Sequence, residues 1–187
     1  MHEVELKSVV DDMTVRRSLV EAAGGRLVYS GRLLDVRYDL PDRSMVVRDH
    51  VLRVRVYETA AGSQASLDWK GETRYEKGFK VREEISSSTG DPSALAGILE
   101  RLGYVVAMEI DRHIAQYDLH GAVVRFEEYP DMDTLVEVEG SPAAIEQAIE
   151  AIGLPRNGFT AERLLEFVMR FEARTGRKAI ISAPALG

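Results

Sequence analysis

Polar and apolar residues alternate from the start of the chain: Glu3, Glu5 and Lys7 flank Val4 and Leu6. This is the period-two pattern of a strand over residues 2–9, with two carboxylates and an ammonium in a row on one face. The period then changes, and a helix is predicted over 13–23, with Asp12 as cap, Leu19 and Val20 as core contacts and Gly24-Gly25 as its stop. A long strand over 26–38 ends at Asp39-Leu40-Pro41-Asp42, a turn-forming stretch. Val51 to Thr59 then alternates Arg53 and Arg55 against Leu52, Val54 and Val56. Ala60 to Ser63 forms a turn, strands follow at 64–71 and 77–86, and Asp91-Pro92 opens a helix that runs to Leu102. Strands at 104–119, 121–129 and 133–140 are separated by His120-Gly121 and by Pro130-Asp131-Met132, and helices at 142–152 and 161–173 complete the pattern.

Each half therefore reads as several antiparallel strands plus helices, without a residue-level repeat. The hairpin-length connections point to an α+β fold: an antiparallel eight-stranded sheet, closed into a barrel or strongly curled, with the helices packed outside. The length of 187 residues suits one domain, over 1–176; past Gly176 the periodicity is lost, and 177–187 is expected to be a disordered tail.

Composition narrows the function. A net charge of −7 argues against a nucleic-acid polymer as partner, because such binding is driven by an excess of Lys and Arg. Cysteine is absent, and His2, His50, His113 and His120 have no ligand-like spacing, so neither a disulfide nor a zinc site is expected. No apolar run approaches the roughly 20 residues that span a bilayer, so no membrane association is expected and the cytoplasm is the default location.

The chemistry lies on the polar faces. Beside Glu3, Glu5 and Lys7 come Arg53 and Arg55, Asp68 and Lys70, then Lys80, Arg82 and Glu84, then Arg125 and Glu127, and last Glu137 and Glu139, all at spacing two. If helices cover the apolar faces, these charges point into the barrel, where they must be paired, hydrated or bound to ligand. Lys and Arg suit a polyanion, and the carboxylates suit divalent cations that bridge to its phosphates. A metal–triphosphate complex fits such a lumen.

The same residues resemble the CYTH superfamily, which includes class IV adenylyl cyclases and thiamine triphosphatases and has a triphosphate-tunnel fold. Glu3-Val4-Glu5-Leu6-Lys7 is similar to its N-terminal ExExK motif. The likeness continues through Tyr38-Asp39-Leu40-Pro41, Leu52-Arg53-Val54-Arg55, Trp69-Lys70-Gly71, Lys80-Val81-Arg82-Glu83-Glu84 and Leu135-Val136-Glu137-Val138-Glu139. Three positions depart from the family pattern: Arg112 and Ile114 replace a Lys-x-Arg pair, with Arg125 as a substitute; Glu127 replaces an aspartate; and Ser86 leaves the acidic pair after Arg82 incomplete.

The resemblance implies a metal-dependent enzyme acting on a small-molecule triphosphate. Lys7, Arg53, Arg55, Lys70, Lys80, Arg82, Arg112 and Arg125 would bind phosphate; Glu3, Glu5, Glu127, Glu137 and Glu139 would hold Mg²⁺ or Mn²⁺; and Glu5, Lys7, Lys70 and Arg82 are the expected catalytic residues. Hydrolysis ranks above cyclisation of ATP to cyclic AMP, because it needs only water and a held triphosphate and the chain has no base-reading motif. Ile114, Glu127 and Ser86 motivate a third reading, a polyphosphate- or nucleotide-binding module without turnover. A barrel for an apolar ligand would require apolar residues in the lumen, the opposite of this alternation. Trp69 is expected in a helix-covered core, His50 and His113 without a catalytic role, and the helix around Phe167 and Phe171 in core packing, with a homodimer through it left open.

Overall fold

A computed structural model describes residues 2–182 of the chain. Nine strands run as β1 (His2–Val9), β2 (Arg26–Asp39), β3 (Val51–Thr59), β4 (Gly62–Lys70), β5 (Arg74–Glu76), β6 (Phe79–Thr89), β7 (Val105–Leu119), β8 (Ala122–Glu128) and β9 (Leu135–Gly140). The helices are α1 (Met13–Ala22), α2 (Ser44–Val47), α3 (Pro92–Arg101), α4 (Pro142–Ile152) and α5 (Leu164–Thr175). Eight strands close in the order β1-β9-β8-β7-β2-β3-β4-β6 and back to β1, with every pairing antiparallel, while β5 hangs on the edge of β6. The expected α+β barrel with outer helices is the observed fold.

Local chemistry sets the boundaries. Asp12 and Asp91 cap α1 and α3 by accepting from Val15 N at 3.0 Å and Ala94 N at 2.9 Å. The β7–β8 hairpin turns on His120 (φ 49°) and Gly121 (φ 82°), the two left-handed residues of a type I′ turn, whose twist matches the flanking strands. The last helix begins at Leu164, three residues later than its pattern suggests, because Thr160 is engaged as a short strand on β1: Lys7 N donates to Thr160 O and Thr160 N to Lys7 O, both at 2.8 Å. β5, with only three residues, is too short for alternation to reveal, and the stretch after Pro41 contains one turn of helix, α2.

The apolar cores lie outside the barrel wall. α1 and α4 bury Val20, Ile145, Ile149 and Ile152 against Leu6, Val124, Phe126, Val136 and Val138, and α3 brings Leu99 against Tyr38 and Val54. α5 behaves differently: its Phe167 meets Ile110, Tyr129 and Leu135, which stand two residues from Arg112, Glu127 and Glu137 and so share the inward face. α5 therefore closes one mouth of the barrel. Phe167 and Phe171 are both buried, in keeping with core packing. Of the segment expected to be a disordered tail, Ile180 pairs with Asp131 and Ile181 O accepts from Asp111 N at 2.8 Å, while 183–187 lie outside the described residues. Trp69, expected beneath a helix, instead meets His50 edge-on at 5.2 Å.

Candidate active site

Inside the barrel the usual pattern of burial is inverted. Glu3, Glu5, Lys7, Asp35, Arg53, Arg55, Asp68, Lys70, Lys80, Arg82, Arg112, Arg125, Glu127 and Glu137 are each no more than 8 % exposed. All of them except Glu3 and Asp68 line a cavity of about 160 Å³ beneath α5. Three lysines and seven arginines line it against five carboxylates, so the cavity is strongly positive within a chain of net charge −7. Val46, Met108, Ile110, Tyr129, Leu164 and Leu165 add apolar surface to the same lining.

Two ion-pair networks hold these side chains. On the β1, β9 and β6 wall, Lys7 Nζ bridges Glu5 at 2.9 Å and Glu137 at 2.6 Å, Arg125 donates to Glu137 at 2.8 Å, Lys80 pairs with Glu5, and Lys70 donates to Glu3 at 2.6 Å. Burial opposes the Lys7 charge, yet Glu137 and Glu5 outweigh it and hold its pKa above the ordinary value. Burial likewise opposes ionisation of Glu5, and Lys7, Lys80 and Lys70 outweigh it, so this carboxylate is held well below its usual range. Lys80 behaves in the opposite way, because its burial is not fully offset by Glu5 and its pKa is lowered.

On the β2, β3 and β7 wall, Asp35 is the hub. Arg55 donates to it twice, at 2.6 and 2.9 Å, Arg112 lies at 3.1 Å and Arg53 at 3.7 Å. Arg53 also donates to Asp68 at 2.8 Å, and Ser86 Oγ donates to the same carboxylate at 2.6 Å. Arg112 donates to Glu127 at 3.1 Å, and Tyr129 donates its hydroxyl to Glu127 at 2.6 Å. Arg82 is bound differently, donating through Nε to Gly71 O at 2.7 Å and through Nη2 to Asp49 O.

At the edge of the first network, carboxylate oxygens of Glu3, Glu137 and Glu139 come within 4.8 Å of one another. Burial, then the charges of Glu3 and Glu137, push the Glu139 carboxyl up to about 7. Three acidic groups that repel one another in this way form a set of oxygen donors that a hard divalent cation would relieve. The donor set thus fits Mg²⁺ or Mn²⁺. Of the five glutamates singled out for metal, the fold gathers these three, with Glu3 also accepting from Lys70 and Glu137 from Lys7 and Arg125; Glu5 is turned to Lys7 and Lys80, and Glu127 to Arg112 and Tyr129, outside the cluster.

All eight cations singled out for phosphate, Lys7, Arg53, Arg55, Lys70, Lys80, Arg82, Arg112 and Arg125, line the one cavity. Ile114, where a basic residue was looked for, is buried with its cross-strand partner Glu127, and Arg125 reaches the cavity from β8. Sequence reasoning missed Asp35, Arg37 and Arg163. Asp35 and Arg37 carry the spacing-two signal on β2 and were detectable by it. Arg163 sits at the N-cap of α5, where no alternation marks it, and pairs with Asp49 at 3.0 Å.

A family model for the CYTH domain matches residues 1–151. No curated protein matches the chain. Among solved structures, PH1819 from Pyrococcus horikoshii OT3 is 21 % identical, with a TM-score of 0.75 over 90 % of this chain and 98 % of its own. A Vibrio parahaemolyticus protein described as an adenylate cyclase candidate is 16 % identical, with a TM-score of 0.76 over 90 % of this chain and 98 % of its own. HpAC1 from Hippeastrum, an adenylyl cyclase candidate described as having a dominant triphosphatase activity, is 14 % identical, with a TM-score of 0.63 over 98 % of this chain and 99 % of its own. At these identities the likeness shows a shared fold. Among the described residues no helix is long and apolar enough to cross a membrane.

Proposed function

Because the chain belongs to the CYTH domain family, we propose that it is a metal-dependent hydrolase of a small-molecule triphosphate, bound inside the barrel. The observation that carries this reading is the cavity itself, with ten cationic side chains against five carboxylates in a chain that is acidic overall. Such a charge excess suits an extended polyanion, whose oxygens accept charge-assisted hydrogen bonds from guanidinium and ammonium groups.

Arg53, Arg55 and Arg112, fixed by Asp35, and Lys70, Lys80 and Arg82 across the cavity hold and orient the phosphates. Glu3, Glu137 and Glu139 would hold Mg²⁺ or Mn²⁺. When bound, the ion supplies neutralisation of phosphate charge as the reaction proceeds. A water oxygen bonds to the terminal phosphorus while the bond to the bridging oxygen breaks. That oxygen leaves with the shortened chain and the electron pair, and the proton shed by water passes to solvent. Glu5 and Lys7, locked against each other, keep the wall in place beside the reacting phosphates. Fixed cations stabilise charge that builds in the transition state without reorganising, which is where the rate gain arises.

Apolar residues in the lining, among them Met108, Ile110, Tyr129 and Leu164, favour a triphosphate that carries an organic group. They also support a second reading, cyclisation of ATP by attack of the ribose 3′-hydroxyl on the α-phosphorus with loss of pyrophosphate. Tripolyphosphate, thiamine triphosphate and ATP should each be incubated with the protein and Mg²⁺ or Mn²⁺, and orthophosphate measured against cyclic AMP plus pyrophosphate. Orthophosphate is the expected product. Cyclic AMP as the main product would overturn the ranking, and saturable binding with no turnover under either metal would replace both readings with a binding module.

A further inference from the structure

Nine of the ten cations that line the cavity are spoken for: each has a carboxylate or a backbone carbonyl within bonding distance. Lys7, Lys70 and Lys80 are held by glutamates, Arg53, Arg55, Arg112, Arg125 and Arg163 by the carboxylates named above, and Arg82 by two carbonyl oxygens. Arg37 is the exception. Among the described residues no carboxylate lies within 4.0 Å of it, and its Nε is buried with no hydrogen-bond partner.

Its place in the sheet explains why. Arg37 lies in register with Arg53 on β3 and with Met108 on β7, so its cross-strand neighbours are another cation and a thioether. Both acids two residues away on its own strand are engaged elsewhere: Asp35 is shared by Arg55, Arg112 and Arg53, and Asp39 accepts from the backbone N–H groups of Leu40, Met45 and Val46. A second free donor faces the same space, since Arg112 Nη1 is also buried without a partner. Burial, then repulsion from Arg53, lowers the Arg37 pKa to about 10, and the group remains a cation at neutral pH. A partly buried guanidinium whose Nε is buried without a partner costs free energy in the free protein, and an anionic ligand in the cavity offsets that cost.

We propose that Arg37 is an anion-binding residue whose partner is the phosphate chain of the substrate, with Arg112 Nη1 completing the contact. The inference rests on the reading of the cavity as a phosphate site. It makes Arg37 a determinant of affinity that the free protein keeps at the expense of stability.

The test is titration calorimetry of wild type, Arg37→Gln and Arg37→Lys with tripolyphosphate, pyrophosphate and orthophosphate, together with melting curves without anion. Arg37→Gln is expected to weaken tripolyphosphate binding about 10- to 100-fold, the effect of losing one charge-assisted contact. Arg37→Lys should recover part of that loss. Without anion, Arg37→Gln should melt at or above the wild-type temperature, because an unpaired, partly buried charge has been removed; a structural role would lower it. Affinity within about twofold of wild type in Arg37→Gln would overturn this inference and leave the hydrolase reading standing. So would a large fall in its melting temperature. If the wild-type protein binds none of the three anions, both readings fall together.

Discussion

Asp35→Asn removes the carboxylate that three guanidinium groups share. Asp35 is 1 % exposed, accepts two hydrogen bonds from Arg55 and lies at 3.1 Å from Arg112 and 3.7 Å from Arg53. Deleting one partner of a buried ion pair typically costs about 3–5 kcal/mol, because the remaining charges are left without compensation. Asparagine keeps one acceptor oxygen for Arg55, which places the loss near the lower end, at about 3 kcal/mol. For a chain of this size that lowers the melting temperature by roughly 6–12 °C. Burial pushes the Asp35 pKa up, but Arg55, Arg53 and Arg112 outweigh it and hold the group well below the ordinary carboxylate range. Its contribution is therefore present above the unfolded carboxylate value, near about 4, and is lost only as pH falls through the lower folded value. The difference between variant and wild type should hold from pH 8 to pH 5 and shrink in stronger acid. The variant cavity also gains one positive charge, so saturating tripolyphosphate should raise its melting temperature by more than it raises that of the wild type. Thermal melts with and without the anion measure both effects. A variant that melts within about 2 °C of wild type and gains no extra protection from the anion would refute Asp35 as the counter-charge of the arginine cluster.

Metal binding should strengthen as pH rises through about 7, where Glu139 loses its proton, and calorimetric titration with Mn²⁺ at pH 6 and pH 8 checks the sign. In metal-free protein the raised Glu139 value acts in the opposite sense on folding: its contribution is fully present below the unfolded value near about 4.3 and is lost as pH rises through about 7. Glu139→Gln should abolish the pH dependence of Mn²⁺ affinity. Glu5→Gln, which loosens both Lys7 and Lys80, is expected to lower orthophosphate release by about 10²–10³-fold, the range seen when one fixed transition-state contact is removed; unchanged turnover in a colorimetric phosphate assay would remove Glu5 from the reacting wall. Gly121→Ala tests the hairpin alone: nothing crowds a new Cβ there, so only the left-handed φ of 82° opposes it, and urea unfolding should show a loss of about 1 kcal/mol.

The charged rows of β1, β3, β6 and β9 were legible because spacing two on a strand fixes the face, and apolar partners such as Val54 and Val138 marked the side that meets helices. Asp35 and Arg37 carry the same signal, but Leu33 and Leu34 stand side by side before them and blur which face of β2 is polar. Pairing register was the larger gap. Glu5 lies opposite Lys80 on β6, which draws it into the lysine network, while Glu137 and Glu139 on β9 gather with Glu3. Alternation alone gives five equivalent glutamates; only the closed sheet brings Glu3, Glu137 and Glu139 together, with Glu3 and Glu137 also held by cations, and leaves Glu5 and Glu127 as ion-pair partners apart from that cluster. Ser86 shows the converse, since the apparent gap in an acidic pair is filled by its hydroxyl donating to Asp68 on the neighbouring strand.

The seat of β1 between β9 and β6 also bears on how the site comes into being. Residues near the start of the chain find their partners only after Phe79–Thr89 and Leu135–Gly140 have been made, so the seam is among the most non-local pairings in the fold. Loop-closure entropy opposes that step until both neighbours are in place, and β1 must wait with its charged face unpaired. The same strand brings Glu3, Glu5 and Lys7. Closing the barrel and assembling the cavity are thus one event in refolding, and recovery of anion binding should follow the slowest structural phase, with no partly competent intermediate before it.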